Sequence, residues 1–250
     1  VERVKALLFD VFGTVVDWRS GVIRDVTALA ARHGADIDAA SLADRWRAGY
    51  RPAMNQVRTG ELPWTSLDGL HRRTLDQLLS ADQESADQES ADQEGETGLG
   101  DLDEAGRAWL TTCWHRLDPW PDAVAGLERL KRRYIISAFS NGNVALLVDM
   151  ARWGGLPWDF VASAELFRHY KPDPQTYLGA AGLLSLSPAE VMLVAAHNDD
   201  LIAAGDLGLA TAFVPRPGEL GPDHQANQEP ARPYTCVAAD FGDLADQLGA

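Results

Sequence analysis

Short apolar runs that stop abruptly on polar residues recur along this chain. Residues 4–9 are apolar except for Lys5, and the run ends on Asp10, with Gly13 and Thr14 following at once. Similar runs lie at 134–140, 160–163, 191–196 and 210–214, with a shorter one at 234–238. Each reads as a buried strand, and helical stretches separate the later ones: 123–130, 144–152, 174–183 and 201–207. Strands that alternate with helices predict a parallel sheet covered on both faces. Residues 18–118 break this rhythm. Apolar positions there recur at helical spacing (Val22, Val26, Leu29; Leu42, Trp46, Tyr50; Leu67, Leu70, Leu75, Leu78; Leu102, Trp109, Trp114), with no convincing strand. The expected fold is α/β: a Rossmann-like parallel sheet from residues 1–17 and 119–250, with 18–118 inserted as a helical cap domain.

Inside that block, residues 80–94 repeat Ser-Ala-Asp-Gln-Glu three times, with six acids and no large apolar side chain. Such a segment cannot bury a face. It is expected to be solvent-exposed, as an extension of the preceding helix or as a loop. A partner-binding acidic tag is the alternative.

Composition narrows the function classes. The chain has 250 residues, 46% of them hydrophobic, and a formal net charge of -15. A nucleic-acid partner is not expected, because the basic footprint that phosphate contact requires is missing. Any anionic substrate must then be held by a few local cations. Two cysteines, Cys113 and Cys236, make no disulfide framework. No apolar run approaches the ~20 residues of a membrane helix, and no signal-peptide pattern precedes the first strand. The expectation is a cytoplasmic protein with no membrane partner. Homodimer formation is left open.

The polar residues at the strand ends carry the candidate chemistry. In an open α/β sheet, ligands bind outside the carboxyl ends of the strands. Asp10 lies at such an end, as do Ser140-Asn141-Gly142-Asn143 and Ala195-Ala196-His197-Asn198-Asp199-Asp200, while Lys171-Pro172-Asp173-Pro174 precedes a helix. Parallel strands would gather Asp10, Ser140 and Asp200 at one edge, within reach of Lys171. Asp10 alone could equally be a turn cap.

Taken in this order, Asp-x-x-Gly-Thr, Ser-Asn-Gly, Lys-Pro-x-Pro and a terminal acidic motif resemble the haloacid dehalogenase superfamily along the whole chain. Most of its members are magnesium-dependent phosphatases. Those carry an Asp where this chain has Phe12, and a metal-binding Asp where it has Ala196. A methyl group cannot replace a hard oxygen ligand, although Asp199 could in principle substitute. The chain looks more like the metal-free 2-haloacid dehalogenases, which have an aromatic at the position of Phe12. They also have Trp-Arg in the cap as at Trp46-Arg47, Ser-Asn-Gly-Asn as at 140–143, and a Tyr six residues after the Lys, as at Tyr177. Their last motif differs: Ala195, His197 and Asp199 stand where they have Ser, Asn and Trp.

The resemblance implies hydrolysis of short 2-haloalkanoic acids, of S configuration, through an ester on Asp10, with no metal and no cofactor. Asp10 is the expected nucleophile. Thr14 and Ser140 are expected to donate hydrogen bonds to it or to the substrate carboxylate. Lys171 is expected to keep Asp10 ionised, and Asp200 to act as general base. Arg47 and Asn141 are expected to meet the leaving halide, and Phe12, Tyr177 and His197 to line the substrate site. The exchange of Asn for His197 and of Ser for Ala195 suggests a pocket shaped for a small acid such as fluoroacetate. Plainer readings compete. Thr14 could serve only the turn, Arg47 could be a surface residue beside Arg45 and Arg51, Tyr177 could be core, and His197 a satisfied polar group. A magnesium-dependent phosphatase and a catalytically silent acidic interaction protein are the alternative functions.

Overall fold

The structure is a computed structural model that describes residues 2–89, 99, 102–221 and 228–250. The chain divides into two compact units, one of Val1–Trp18 with His115–Ala250 and one of Arg19–Trp114.

The first unit is built on a six-stranded sheet of order β5-β4-β1-β6-β7-β8: β1 (Ala6–Phe9), β4 (Ile135–Ser140), β5 (Phe160–Ser163), β6 (Val191–Ala195), β7 (Ala210–Phe213) and β8 (Cys236–Val237). Every pairing in it is parallel. β1 is fully buried, as expected of a central strand whose run is continuously apolar rather than alternating. It pairs with β4 on one side and β6 on the other. From β1 the sheet grows through β4 to β5, then resumes at β6 and grows the opposite way. The end of β1 is therefore a topological switch point, where open α/β sheets place their ligands. Helices α5 (Ala123–Lys131), α6 (Val144–Gly154), α7 (Ala164–Phe167), α8 (Pro174–Leu183), α9 (Asn198–Asp206) and α10 (Phe241–Leu248) connect and cover the strands. One core layer packs Leu8, Phe139, Tyr177, Leu193, Leu201 and Phe213. A two-residue antiparallel ribbon, β2 (Val16–Asp17) with β3 (Asp118–Pro119), joins the chain where it leaves this unit and where it returns.

The second unit is helical: most of α1 (Trp18–His33), then α2 (Ala39–Arg58), α3 (Leu67–Glu89) and α4 (Glu104–Thr111). Asp38 caps α2 by accepting from the Ser41 N–H at 2.9 Å. Pro52 does not end that helix, which continues to Arg58. The unit's centre is aromatic. Trp46 meets Trp114 edge-on at 5.5 Å, and His71 stacks on Trp114 at 4.2 Å. The backbone of the acidic repeat continues α3 through Glu89. The remainder of the repeat lies outside the described residues.

Candidate active site

Asp10 follows β1 directly, and its backbone N–H donates to the Val194 carbonyl at 3.0 Å. The turn after it depends on Gly13, whose φ is +85°, a conformation that glycine adopts without steric cost. A Cβ on Gly13 would also lie 2.1 Å from Oε1 of Glu219. This turn brings Thr14 back over Asp10. Thr14 Oγ1 accepts the Ala196 N–H at 2.9 Å and donates its own proton to Asp10 Oδ2 at 2.7 Å.

Lys171 extends from the loop before α8. Its ammonium donates to Asp10 Oδ1 at 2.8 Å, to Asp200 Oδ2 at 2.5 Å and to the Phe139 carbonyl at 3.2 Å. Three acceptors meet the three protons of an ammonium group. The loop itself is fastened by Asn141, whose Oδ1 accepts the Lys171 backbone N–H at 2.7 Å. Ser140 Oγ accepts the Gly142 N–H at 3.1 Å, so its hydroxyl proton remains to donate. Asp200, in the first turn of α9, also accepts the Tyr177 hydroxyl at Oδ1.

Charge sets the protonation states. Burial alone would raise the Asp10 carboxyl, but the Lys171 ammonium and then the His197 hydrogen bond outweigh it and hold Asp10 well below the usual carboxylate range. Burial would likewise lower Lys171, and the charges of Asp10 and Asp200 push it above its ordinary value instead. Asp200 goes the other way. Burial raises it, Asp10 adds to the rise, and Lys171 only partly opposes.

His197 is the N-cap of α9, and its ring bridges two carboxylates. Nδ1 lies 2.9 Å from Asp10 Oδ2, and Nε2 lies 3.0 and 3.1 Å from the two oxygens of Glu219. Against the cost of burial, the Glu219 charge and the Asp10 hydrogen bond raise the imidazole to about 10. With a carboxylate at each nitrogen, the ring is an imidazolium that donates from both.

Glu219 is the residue that sequence reasoning missed. It is buried in the loop after β7, and its Oε1 also accepts the Trp18 indole N–H at 3.1 Å. Arg216, three residues earlier, anchors the loop. Its Nε donates to the Thr14 carbonyl at 2.8 Å, and its two terminal nitrogens grip Asp122 at 2.7 and 3.0 Å. The available signal was positional. This loop leaves the same strand edge as Asp10, and Pro215-Arg216-Pro217-Gly218-Glu219 puts an acid in a turn there.

The structure thus brings Asp10, Thr14, Lys171, Asp200, Asn141 and His197 into one bonded cluster. Ser140 ends the neighbouring strand. Tyr177, expected to line the substrate site, is fully buried, packs edge-on against Phe139 and gives its hydroxyl to Asp200. It supports the carboxylate from behind. Phe12 is buried in the turn after β1. Arg47 belongs to the helical unit, where its guanidinium covers the Tyr50 ring at 4.2 Å. Arg45, by contrast, lies on another face of α2 and pairs with Asp82 at 2.7 Å, and Arg51 is exposed.

Magnesium, the metal that most members of the superfamily use, does not fit these residues. Both oxygens of Asp10 already accept hydrogen bonds from cationic side chains, and the Ala196 side chain is a methyl group with no oxygen to offer a metal. Among the described residues, no group of three or more His, Cys, Asp or Glu side chains could hold a metal ion.

Fold and cluster together define a class: an α/β protein with a carboxylate–ammonium–carboxylate centre at the switch point of its sheet and a helical insertion after the first strand. The chain belongs to the haloacid dehalogenase-like hydrolase family, whose model matches residues 4–208. It is 30% identical over 236 residues to (S)-2-haloacid dehalogenase 4A of Burkholderia cepacia, covering 91% of this chain and 92% of that protein. Among solved structures, it resembles an L-2-haloacid dehalogenase at 48% identity and TM-score 0.90, covering 98% of this chain and 99% of the other. A defluorinating L-2-haloacid dehalogenase is similar at 46% identity and TM-score 0.90, with 99% and 96% covered. No helix among the described residues is long and apolar enough to cross a membrane.

Proposed function

We propose that this protein hydrolyses short (S)-2-haloalkanoic acids to 2-hydroxy acids and halide, without a metal, through an ester on Asp10. The observation that carries the reading is the state of Asp10: a buried carboxylate, held ionised by Lys171 and fixed at both oxygens. A carboxylate is a weak nucleophile in water, and fixing and partly desolvating it lowers the barrier to in-line attack. Phe12 stands where a phosphatase needs a proton-transfer acid.

In the first half-reaction, an Asp10 oxygen forms a bond to carbon 2 as the carbon–halogen bond breaks and halide departs with the electron pair. Arg47, by the resemblance of Trp46-Arg47, is assigned to the halide, and the O–H of Ser140 to the substrate carboxylate. In the second, water adds to the Asp10 carbonyl carbon. Asp200, whose carboxyl group burial has raised, takes the water's proton. Collapse expels the 2-hydroxy acid and restores Asp10. The similarity to a defluorinating L-2-haloacid dehalogenase supports including fluorinated acids among the substrates. Cytoplasmic residence is part of the proposal, in keeping with two buried, free cysteines.

The test measures halide release from (S)-2-chloropropionate and fluoroacetate with chelator present, beside phosphate release from generic phosphoesters with magnesium. Chelator-resistant halide release is expected, and Asp10→Asn is expected to abolish it. Magnesium-dependent phosphate release without halide would overturn the proposal.

A further inference from the structure

The two oxygens of Asp10 are not equivalent. Oδ1 accepts from the Lys171 ammonium, whereas Oδ2 accepts from two donors, Thr14 Oγ1 and His197 Nδ1, at 2.7 and 2.9 Å. Each donor is locked. Thr14 Oγ1 accepts the Ala196 N–H, which turns its own proton toward Asp10. His197 is held from behind by Glu219, which is in turn fixed by the Trp18 indole and by the close approach of Gly13. The more lightly bonded Oδ1 is the oxygen free to attack, and Oδ2 then becomes the carbonyl oxygen of the ester. We propose that His197, positioned by Glu219, forms with Thr14 the oxyanion hole for hydrolysis of the Asp10 ester.

This rests on the dehalogenase reading above and assigns its second half-reaction. When water attacks the Asp10 carbonyl carbon, the π electrons move onto Oδ2. The oxyanion so formed faces two donors already at the separation such a site requires. Collapse re-forms the carbonyl and breaks the bond between the Asp10 carboxyl carbon and Oδ1, so Oδ1 leaves on carbon 2 as the product's hydroxyl oxygen and the water oxygen stays on Asp10. One proton of the water ends on the product hydroxyl and the other leaves to solvent as Asp10 regains its charge. Attack on the haloacid needs neither donor to the same degree, because Oδ2 gains no charge in that step.

Asp10 and Glu219 face the His197 ring from β1 and from the loop after β7. Lys171 stands behind Asp10, and Asp199 and Asp200 follow on the histidine's own helix. In the resting enzyme the imidazolium titrates at about 10, with Lys171 held higher; in the ester, where Asp10 has lost its charge, Glu219 is the carboxylate left to hold it up, so the alkaline limb of ester hydrolysis lies lower. A donor loses function on deprotonation, whereas a base would gain it. Glu219 is a positioning residue for this donor.

The experiment is rapid acid quench of (S)-2-chloropropionate turnover, with halide counted and the Asp10 peptide weighed by mass spectrometry. Glu219→Gln, which is isosteric and still able to accept from Trp18, should keep the first-turnover halide burst and accumulate Asp10 ester. Its ester hydrolysis should slow about tenfold, and the alkaline limb of that step should move to lower pH. His197→Ala, which removes the donor outright, should slow the same step further, toward the ~10²–10³-fold loss typical of a missing oxyanion donor. A slowed burst without accumulated ester overturns the inference, as does an unmoved alkaline limb or hydrolysis in the parent enzyme that speeds up as His197 deprotonates. Absence of both halide and Asp10 ester in the parent enzyme would instead overturn the dehalogenase reading, and this inference with it.

Discussion

Replacing Lys171 by Met tests how much of the site's order rests on one ammonium group. The lysine side chain is 8% exposed, and the two carboxylates it joins are 10% and 9% exposed. Methionine matches the stem but removes the charge and all three donors. Removing one partner of a buried ion pair typically costs ~3–5 kcal/mol, because the charge left behind is uncompensated. Against a total of ~5–15 kcal/mol for a typical domain, a large share of the stability would go. The pH dependence is the sharper readout. In the parent protein the Asp10 carboxyl is depressed by Lys171, so its stabilising contribution is present above the unfolded carboxylate range and lost as pH falls through the folded value. Without Lys171, burial would raise Asp200 further, while Asp10 would lose its strongest lowering partner and be held down by His197 alone. Groups raised on folding stabilise below their unfolded pKa, and that stability is lost as pH rises through the folded value. The variant should therefore gain stability from pH 7 toward pH 5, relative to the parent. Urea unfolding at both pH values measures this. A variant as stable as the parent at pH 7, or one whose stability moves with pH in parallel with the parent's, would refute the reasoning.

Other substitutions separate neighbouring contributions. Tyr177→Phe keeps the ring that packs on Phe139 but removes the hydroxyl from Asp200; it should lower the urea midpoint by an amount worth ~1.5–3 kcal/mol, the value of a hydrogen bond to a charged group. Gly13→Ala puts a side chain on a backbone at φ +85° and a Cβ against Glu219. It should cost ~1–3 kcal/mol in backbone strain and accumulate Asp10 ester as Glu219→Gln does, and unchanged melting with unchanged turnover would count against it. In the helical unit, Trp46→Phe loses the indole donor to the His71 carbonyl, which sits at 2.9 Å. A thermal shift corresponding to ~1 kcal/mol is expected.

The sheet was legible because its physics is local. A central parallel strand must be apolar at every position, and the runs ending at Asp10, Ser140 and Ala195 announce themselves as such. Asp10, Lys171 and Asp200 were legible for a related reason: strand ends of one parallel sheet share an edge, so residues far apart in sequence converge there. Tyr177 shows where that reasoning stops. Its spacing after Lys171 placed it near the site, but whether α8 turns the ring toward solvent or core is decided by packing on Phe139. Glu219 shows the other limit. Its role comes from the His197 ring and from a glycine that gives way to it, both distant in sequence, and neither a period nor a spacing encodes such a meeting.

The bonded cluster also explains why one set of donors can serve two different charge states. At rest it sets two cations, Lys171 and His197, against three carboxylates, Asp10, Asp200 and Glu219. Ester formation on Asp10 removes one negative charge and leaves cations and carboxylates equal in number. Water addition returns a negative charge to the same residue, now on the tetrahedral carbon's oxygen. If that oxygen is Oδ2, the charge reappears within hydrogen-bonding distance of Thr14 and His197, where the resting carboxylate had already organised them. No dipole has to turn at the moment of reaction, and that absence of reorganisation is what makes fixed donors worth more than water. The resting nucleophile thus acts as the template for the oxyanion. The same donors that depress the Asp10 carboxyl in the free enzyme lower the barrier to releasing it from the ester, so a substitution that frees Asp10 from His197 should restore some intrinsic basicity to the carboxylate while slowing turnover.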